Sequence, residues 1–314
     1  MNLRHELDRY LTVRRGLGYS LATAELVLRR FIDFAEGEQA QHVTTALFLR
    51  WQESFGRAGR ETWSARSGMV RLFAQWLHGL DPVNEALPRG IIPNRYRRIR
   101  PHIYSPAEIA AIVDAAAELP SIYGMRGLTC STMFGLIAVT GLRIREAVGL
   151  DNPDVDLDAG VLRIRRGKLG KERLIPLAES VVARLRTYSA ERDRLLGLTP
   201  APFFVTCRGD RMGDCTARYN FAAVCQRIGL RGPQQYYRHG RGPRIHDLRH
   251  TFAARTIIDW YRTGKDPAHE MIKLTTYLGH TTPDNTYWYI EAVPELLELA
   301  AHRVEQAVER GAPK

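Results

Sequence analysis

The sequence predicts a mainly α-helical protein with a small antiparallel β-sheet, an α+β fold divided into two domains. Three observations carry this prediction. Apolar residues recur at helical spacing through most of the 314-residue chain. Two short runs typical of strands, "VLRIRR" at 161–166 and "RLIPL" at 173–177, flank the turn "GKLGKE". A stretch at 81–102 rich in proline and arginine keeps neither period and separates the two domains.

Residues 1–80 are predicted to form a small helical domain. Leu3, Leu7 and Leu11 keep helical spacing, and the apolar residues of 21–34 and 69–77 repeat the pattern on either side of the polar stretch "GRAGRETWSARSG". The excess arginine of these segments suits a phosphate backbone, although a solvated charged face is an equal alternative.

The segment 81–102 is predicted to be an extended basic linker. Its sequence, "DPVNEALPRGIIPNRYRRIRPH", has four prolines and five arginines. We expect it to follow a nucleic-acid backbone, with a plain solvated tether as the alternative. The candidate DNA-binding residues are Arg95, Arg97, Arg98 and Arg100.

The second domain, 103–314, opens at "SPAE", where Ser105 and Glu108 can form a capping box and Pro106 suits the first helical turn. Helices are predicted at 105–118, about 127–140 and 143–150, and the hairpin follows. "FFVT" at 203–206 is predicted to be a third strand. Helices resume from about 216, interrupted by the basic loop "RGPQQYYRHGRGPR", whose Arg241 and Arg244 are further candidate DNA contacts. The tail 294–310 is predicted to be an amphipathic helix.

The formal net charge of +11 favours a polyanionic partner, with nucleic acid as the first candidate and an anionic membrane as the second. The membrane alternative is weak, because the longest uncharged run, 127–142, is shorter than the roughly 20 residues that span a bilayer. The four cysteines form no C-x-x-C pair, which fits neither a zinc site nor a disulfide framework. With no N-terminal signal visible, we expect a reduced, cytoplasmic protein.

Two basic residues near turns are candidates for chemistry. Arg143 lies in "TGLRIREAVGL" where one predicted helix ends and another begins, and a structural ion pair with Glu146 is its alternative role. Lys168 lies at the tip of the hairpin. A lysine can be tuned to donate its proton near neutral pH, whereas arginine cannot. A solvated turn lysine is the alternative, and Lys171 is a nearby competitor.

The segment "RIHDLRHTFAART" places His246 and Arg249 three residues apart on one helical face, a suitable phosphate clamp. His250 is predicted to point elsewhere and to be structural. His280 precedes a segment in which Tyr287 and Tyr289 would lie about 200° apart on a helix, so only one of them can face the site. No set of carboxylates converges as a two-metal nuclease requires. We therefore expect neither a metal nor a cofactor.

Taken together, these residues resemble the tyrosine recombinase (phage integrase) family. "TGLRIREAVGL", "GKLGKER", "HDLRHTFA" and "YLGH" look like its successive sequence boxes. The resemblance implies that Tyr289, nine residues after His280, is the nucleophile and that Tyr287 is a packing residue. It also implies a metal- and ATP-independent reaction through a 3′-phosphotyrosine. The implied catalytic roles are phosphate stabilisation by Arg143 and Arg249, leaving-group protonation by Lys168, and phosphate binding by His246 and His280, with His246 the better candidate for proton transfer.

Residues 1–80, with the linker, resemble the core-binding (DNA-binding) domain of the family. The implied partner is double-stranded DNA, bound by a homo-oligomer with a dimer at each site and a tetramer in the synapse. The C-terminal helix would dock on a neighbouring protomer, with packing in cis as the alternative, and a requirement for partner recombinases stays open. Three features depart from the short Xer-type recombinases and favour an integrase of a mobile element. They are Arg145, the long segment between Arg249 and His280, and the ending "NTYWYIEAVPELLEL". The alternatives are an Xer-like resolvase, a DNA-relaxing or hairpin-forming relative, and a catalytically silent DNA-binding accessory subunit.

Overall fold

The computed structural model describes residues 2–54, 58–93, 100–165, 172–233, 242–280, 282, 286–289 and 293–311. For residues 122, 303, 304 and 306–311 the structure describes the backbone alone. The chain divides into two compact units, Met1–Ile99 and Arg100–Lys314, each with its own hydrophobic core. The predicted fold class, mainly helical with a small antiparallel sheet, is confirmed.

The described part of the first unit contains four helices: α1 (Leu3–Gly16), α2 (Ala22–Gly37), α3 (Thr45–Ser54) and α4 (Arg60–Leu80). Aromatic residues from three of them meet at the centre, where the rings of Trp51 and Trp63 lie 5.2 Å apart, edge to face. Helix α4 begins inside the polar stretch that was expected to separate two helices. Trp63 explains the difference, because this buried residue lies on the inner face of an otherwise polar first turn. The DNA-binding role of this unit stays a prediction.

The first part of the predicted linker belongs to the core of the first unit. Asn84 is fully buried and accepts a hydrogen bond from the backbone N–H of Val43 at 2.9 Å. Leu87 and Ile92 are buried in the same core. Residues 84–92 are therefore packed rather than free. Arg100 is exposed, while Arg95, Arg97 and Arg98 lie outside the described residues.

The second unit begins with α5 (Pro106–Ala117), α6 (Met125–Thr140) and the short α7 (Ile144–Val148). The predicted capping box is present: Ser105 Oγ accepts from the N–H of Glu108, and the Glu108 carboxylate accepts from the N–H of Ser105. The later helices are α8 (Glu179–Leu196), α9 (Asp214–Arg227), α10 (Ile245–Arg262), α11 (Pro267–Leu278) and α12 (Pro294–Gly311).

The sheet has the antiparallel order β1 (Val155–Asp156), β2 (Val161–Ile164) and β3 (Arg173–Pro176). In the predicted hairpin, Val161 pairs with Pro176 and Ile164 pairs with Arg173. The prediction of a strand at 203–206 is wrong. Phe203, Phe204 and Val205 are buried as expected of a strand, but the segment forms only isolated bridges, from Val205 to Arg211 and from the adjoining Pro202 to Asp151.

Helix α8 was not predicted, because its buried face includes a charged residue that breaks the apolar period. Arg192 is 1% exposed in its side chain and donates to the carbonyl oxygen of Phe203 at 2.8 Å. Only Leu185 and Tyr188 join it on the buried face. Periodicity counted on apolar residues alone therefore misses this helix.

Helices α10, α11 and α12 form a separate cluster in the core of the second unit. Leu296 of α12 is fully buried in this cluster, and Arg262 of α10 pairs with Glu295 at 2.7 Å. The beginning of α12 therefore packs in cis. Among the described residues, no helix is both long and apolar enough to cross a membrane.

Candidate active site

The ends of two helices meet at one buried arginine. Arg249 of α10 is 1% exposed and donates to the carbonyl oxygens of Gly141, at 2.7 Å, and Leu278, at 2.6 Å. These carbonyls end α6 and α11, and helix C-termini carry partial negative charge. Burial, followed by repulsion from Arg143, lowers the pKa of Arg249 to about 10. The guanidinium therefore stays charged at neutral pH, held by two helix ends.

Both helix ends require glycine. Gly141 and Gly279 cap α6 and α11 in the left-handed region, with φ of +64° and +63°. A Cβ atom on Gly141 would lie 2.6 Å from the Phe252 ring, and one on Gly279 would lie 3.0 Å from Arg173 Nη1. A side chain at position 141 would therefore displace Phe252, and one at position 279 would displace Arg173.

A buried carboxylate fixes the second arginine of the site. Arg143 precedes α7 and donates from Nη1 to Glu146 at 2.8 Å and from Nη2 to the carbonyl oxygen of Gly279 at 3.0 Å. Arg173, the first residue of β3, donates to both oxygens of Glu146 at 3.0 and 2.8 Å. Arg173 Nε also donates to the carbonyl oxygen of Tyr277 at 2.8 Å. One carboxylate thus joins α7 to the sheet, and Arg173 joins the sheet to the end of α11.

Two opposing effects determine the pKa of Glu146. Burial raises the pKa of this carboxyl, but the Arg173 hydrogen bonds, the Arg143 backbone N–H and the two guanidinium charges outweigh burial and hold it at about 2. A carboxyl whose pKa falls on folding stabilises the fold above its ordinary pKa near 4.5. That stabilisation is lost as pH falls from 4.5 towards 2.

We predict that Glu146→Gln lowers the free energy of unfolding at pH 7 by about 3 kcal/mol, because two largely buried guanidinium groups lose their counter-charge. Urea unfolding of wild type and variant at pH 7 and pH 4 measures this. The difference in the free energy of unfolding between wild type and variant should be smaller at pH 4, because the stabilisation by the wild-type carboxylate begins to be lost there. Asp214→Asn, which removes the partner of the exposed Arg145, is the control and should change stability by less than about 1 kcal/mol. Equal stability of Glu146→Gln and wild type at pH 7 would refute the role of the carboxylate.

Two histidines of α10 lie side by side at the site. The rings of His246 and His250 are 4.6 Å apart between centroids, edge to face. Desolvation and then the charge of Arg249 lower the pKa of His246 to about 4. His246 is exposed to solvent, and the charges of Arg244 and Arg143 also lower its pKa. His250 is half-buried, and burial followed by His246 lowers its pKa to about 3.

His280 lies immediately after Gly279, the glycine that caps α11. Its Nδ1 is 2.8 Å from the hydroxyl of Thr286, which is fully buried. Thr275 of α11 also contacts that hydroxyl, at 3.0 Å. This hydrogen-bonded group fixes the His280 ring, which stacks on the ring of Tyr289 at 6.5 Å between centroids.

The structure distinguishes the two tyrosines that spacing could not separate. Residues 286–289 form a helical turn, in which Tyr289 is 2% exposed and its hydroxyl is 3.1 Å from His250 Nδ1. Tyr287 on the opposite face is 44% exposed. The expectation that Tyr287 packs in the interior is therefore wrong. The expectation that His250 points away from the site is wrong as well.

The remaining predicted residues fall into two groups. Lys168 and Arg241 lie outside the described residues, as does the competitor Lys171. Arg244 precedes α10, is half-exposed, and pairs with the buried Asp247 at 2.9 Å. It lies near the two histidines and contributes to lowering the pKa of both. A role of Arg244 in binding DNA stays a prediction.

Sequence reasoning missed two residues of this site, and a signal existed for only one. His250 follows His246 by four positions, the spacing that places two side chains on the same helical face. Arg173 contacts Glu146 and Tyr277, which are 27 and 104 positions away in the chain, so no local pattern indicates it.

The chain is similar in sequence and in fold to known integrases and recombinases. The model of the phage integrase family matches residues 104–295. The protein named as integrase/recombinase y4rB of Sinorhizobium fredii is 38% identical over 96% of this chain and 97% of its own length. The Tn1549 transposon integrase, solved in complex with transposon right end DNA, aligns over 98% of this chain and 99% of its own, with a TM-score of 0.64 and 14% identity. A lambda integrase tetramer bound to a Holliday junction aligns over 92% of this chain and 77% of its own, with a TM-score of 0.57 and 17% identity.

The two solved structures share the fold, while the family model and the relative y4rB establish kinship in sequence. The chain belongs to the phage integrase family of tyrosine recombinases, enzymes that cleave and rejoin DNA strands.

Proposed function

We propose that the chain is a site-specific DNA recombinase of the mobile-element integrase type, and that Tyr289 is its nucleophile. One observation carries the assignment. The Tyr289 hydroxyl lies 3.1 Å from His250 Nδ1, and its ring stacks on His280 within a site that holds the buried Arg249. The hydroxyl attacks the scissile phosphate, forms a 3′-phosphotyrosine and releases a 5′-hydroxyl. The phosphotyrosine conserves the bond energy for rejoining.

The cations of the site suit this chemistry. An ordinary phenol, with a pKa near 10, is about three units from ionised at pH 7, which costs roughly 4 kcal/mol. Arg143 and Arg249 stabilise the non-bridging phosphate oxygens as negative charge develops in the transition state. Each guanidinium has five N–H donors, so donors remain after those bound to helix carbonyls. His246 and His280 bind the phosphate, and Lys168 protonates the departing 5′-oxygen.

The partner is double-stranded DNA, and the active species is a homo-oligomer with two protomers at each site and four in the synapse. The lambda integrase neighbour, a tetramer on a Holliday junction, supports this proposal by likeness of fold. The C-terminal helix α12 is the docking segment. Its Leu296 packs in cis, whereas Leu297 is 49% exposed and available to a second protomer.

An integrase is favoured over an Xer-like resolvase because the Tn1549 transposon integrase aligns with the chain over almost its whole length. A silent accessory subunit is disfavoured because all the described candidate catalytic side chains lie together.

The test is covalent capture on a nicked suicide duplex built from the DNA fragment that the protein protects in footprinting. The nick lets the 5′-hydroxyl strand diffuse away, so a cleaving enzyme accumulates as a protease-sensitive adduct on the 3′ end. We expect such an adduct without added metal or ATP. Tight binding of the fragment without any adduct would contradict the proposal and favour the accessory subunit.

DNA binding should weaken steeply as salt rises. Phosphate neutralisation releases counterions, and a protein with six to ten phosphate contacts loses about 10³-fold or more in affinity between 50 and 200 mM salt. Fluorescence anisotropy with a labelled duplex measures the slope. Replacing Arg95, Arg97 and Arg98 with alanine should reduce the log–log slope by up to about three. A flat salt response of the wild type would contradict the proposed basic contacts.

A further inference from the structure

His250 contacts the hydroxyl of Tyr289, the proposed nucleophile. Its Nδ1 lies 3.1 Å from the Tyr289 hydroxyl, within the range of about 2.6–3.2 Å required of a general base. The His250 ring lies against three others, with centroids 4.6 Å from His246, 5.6 Å from Trp288 and 5.4 Å from Tyr289. This packing on several sides fixes the orientation of the imidazole.

The basic groups around His250 keep its ring neutral. Arg244, His246 and Arg249 face it from α10 and the residue before that helix, and His280 faces it from the end of α11. Burial and these basic neighbours lower its pKa to about 3, so the imidazole carries no positive charge at neutral pH. A neutral imidazole has one nitrogen that accepts a hydrogen bond. With the proton on Nε2, Nδ1 is free of hydrogen and faces the phenol.

His280 is less suited to receive the phenolic proton. Its Nδ1 is engaged with the Thr286 hydroxyl at 2.8 Å, and its ring stacks on the Tyr289 ring with centroids 6.5 Å apart. The ring of His246 contacts His250, on the solvent side of the pair.

We propose that His250 is the general base that deprotonates Tyr289, an inference that rests on the proposed function. As the Tyr289 oxygen forms its bond to phosphorus, its proton passes to His250 Nδ1. The bond from phosphorus to the 5′-oxygen breaks, and that oxygen takes a proton from the general acid, proposed above to be Lys168. In the rejoining step the 5′-hydroxyl attacks, and His250 returns its proton to the departing Tyr289 oxygen.

Substrate binding strengthens this base. In the chain without DNA, four cationic or imidazole groups oppose a charge on His250. A bound phosphate diester brings negative charge among the same groups and offsets their repulsion, which raises the pKa of the imidazole. The base thus gains strength when a phosphate is in place, and the phenol keeps its proton until then.

The test compares His250→Ala and His250→Asn in single-turnover adduct formation on the nicked duplex, between pH 6 and 9. The asparagine side chain can accept the phenolic hydrogen bond but cannot take up the proton. Each variant is also prepared with a fluorinated tyrosine, whose phenol is more acidic, at position 289. His269→Asn, which changes an exposed histidine of α11, is the matched control. Duplex binding and thermal unfolding check that every variant is folded.

We expect both variants to lose about 10²-fold or more in the cleavage rate, the usual contribution of a general base, and the control to lose nothing. The fluorinated tyrosine should restore most of the loss, because a more acidic phenol needs less help from a base. Activity of His250→Asn within about threefold of wild type would reduce His250 to a positioning residue and overturn the proposal. A loss of cleavage rate that the fluorinated tyrosine does not restore would also overturn the proposal.

Failure of this inference is distinguishable from failure of the proposed function. A wild-type adduct that persists in the His250 variants contradicts only the base assignment. The absence of any wild-type adduct contradicts both.

Discussion

Tyr289→Phe is expected to abolish the covalent DNA adduct, while Tyr287→Phe leaves the rate of adduct formation within about twofold of wild type. Only the Tyr289 hydroxyl lies in the site, 3.1 Å from His250 Nδ1. Tyr287 is 44% exposed on the other face of the same turn. Single-turnover trapping on the nicked duplex measures both variants beside the wild type.

Both tyrosine variants remove a single hydroxyl, which makes them matched controls for each other. Duplex binding by each should equal that of the wild type, since neither change alters charge. An adduct formed by Tyr289→Phe but not by Tyr287→Phe would reverse the assignment.

Arg249→Lys is expected to reduce cleavage by about 10²- to 10³-fold while leaving most of the affinity for DNA. A single ammonium cannot reach the carbonyl oxygens of Gly141 and Leu278 together and also contact a phosphate. The carbonyl left without a donor should also cost about 1–3 kcal/mol of stability. Trapping kinetics, anisotropy and urea unfolding separate the three effects.

Arg145→Lys is the matched control for the arginine prediction. Arg145 lies two positions after Arg143, yet its side chain is 83% exposed and pairs with Asp214 at the surface. We expect the cleavage rate of the Arg145→Lys variant to stay within about twofold of that of the wild type. Equal losses in the two lysine variants would mean that general positive charge, and not the geometry at the helix ends, determines the rate.

The sequence predicts the main parts of the fold where local pattern decides structure. The capping box at Ser105 and the hairpin on either side of "GKLGKE" follow from residue type and spacing, and both are present. Helix α8 is not predicted, because a buried arginine, Arg192, takes the place of an apolar residue in its helical pattern. The sequence "FFVT" has the composition of a strand. In the described part of the chain its backbone forms isolated bridges rather than a strand pairing, and its apolar side chains pack in the core.

Some residues of the candidate site can be predicted from local sequence, and others cannot. Arg143, Arg249 and His280 are recognisable from motifs, and the structure places them at the ends of α6 and α11. The choice between Tyr287 and Tyr289 depends on which face of a short turn is buried, and that is a tertiary property. Arg173 cannot be predicted from local sequence at all, because its position is defined by contacts with Glu146 and Tyr277 on distant elements.

The most direct test of the central claim is to identify the tyrosine that carries the DNA. Trypsin cleavage after Lys273 and Arg303 yields one peptide, 274–303, which contains Tyr277, Tyr287 and Tyr289. After nuclease digestion of the trapped wild-type adduct, fragmentation mass spectrometry locates the nucleotide remnant within this peptide. We predict that it is on Tyr289. A remnant on Tyr287, on Tyr277 or on a different peptide would contradict the assignment of the nucleophile.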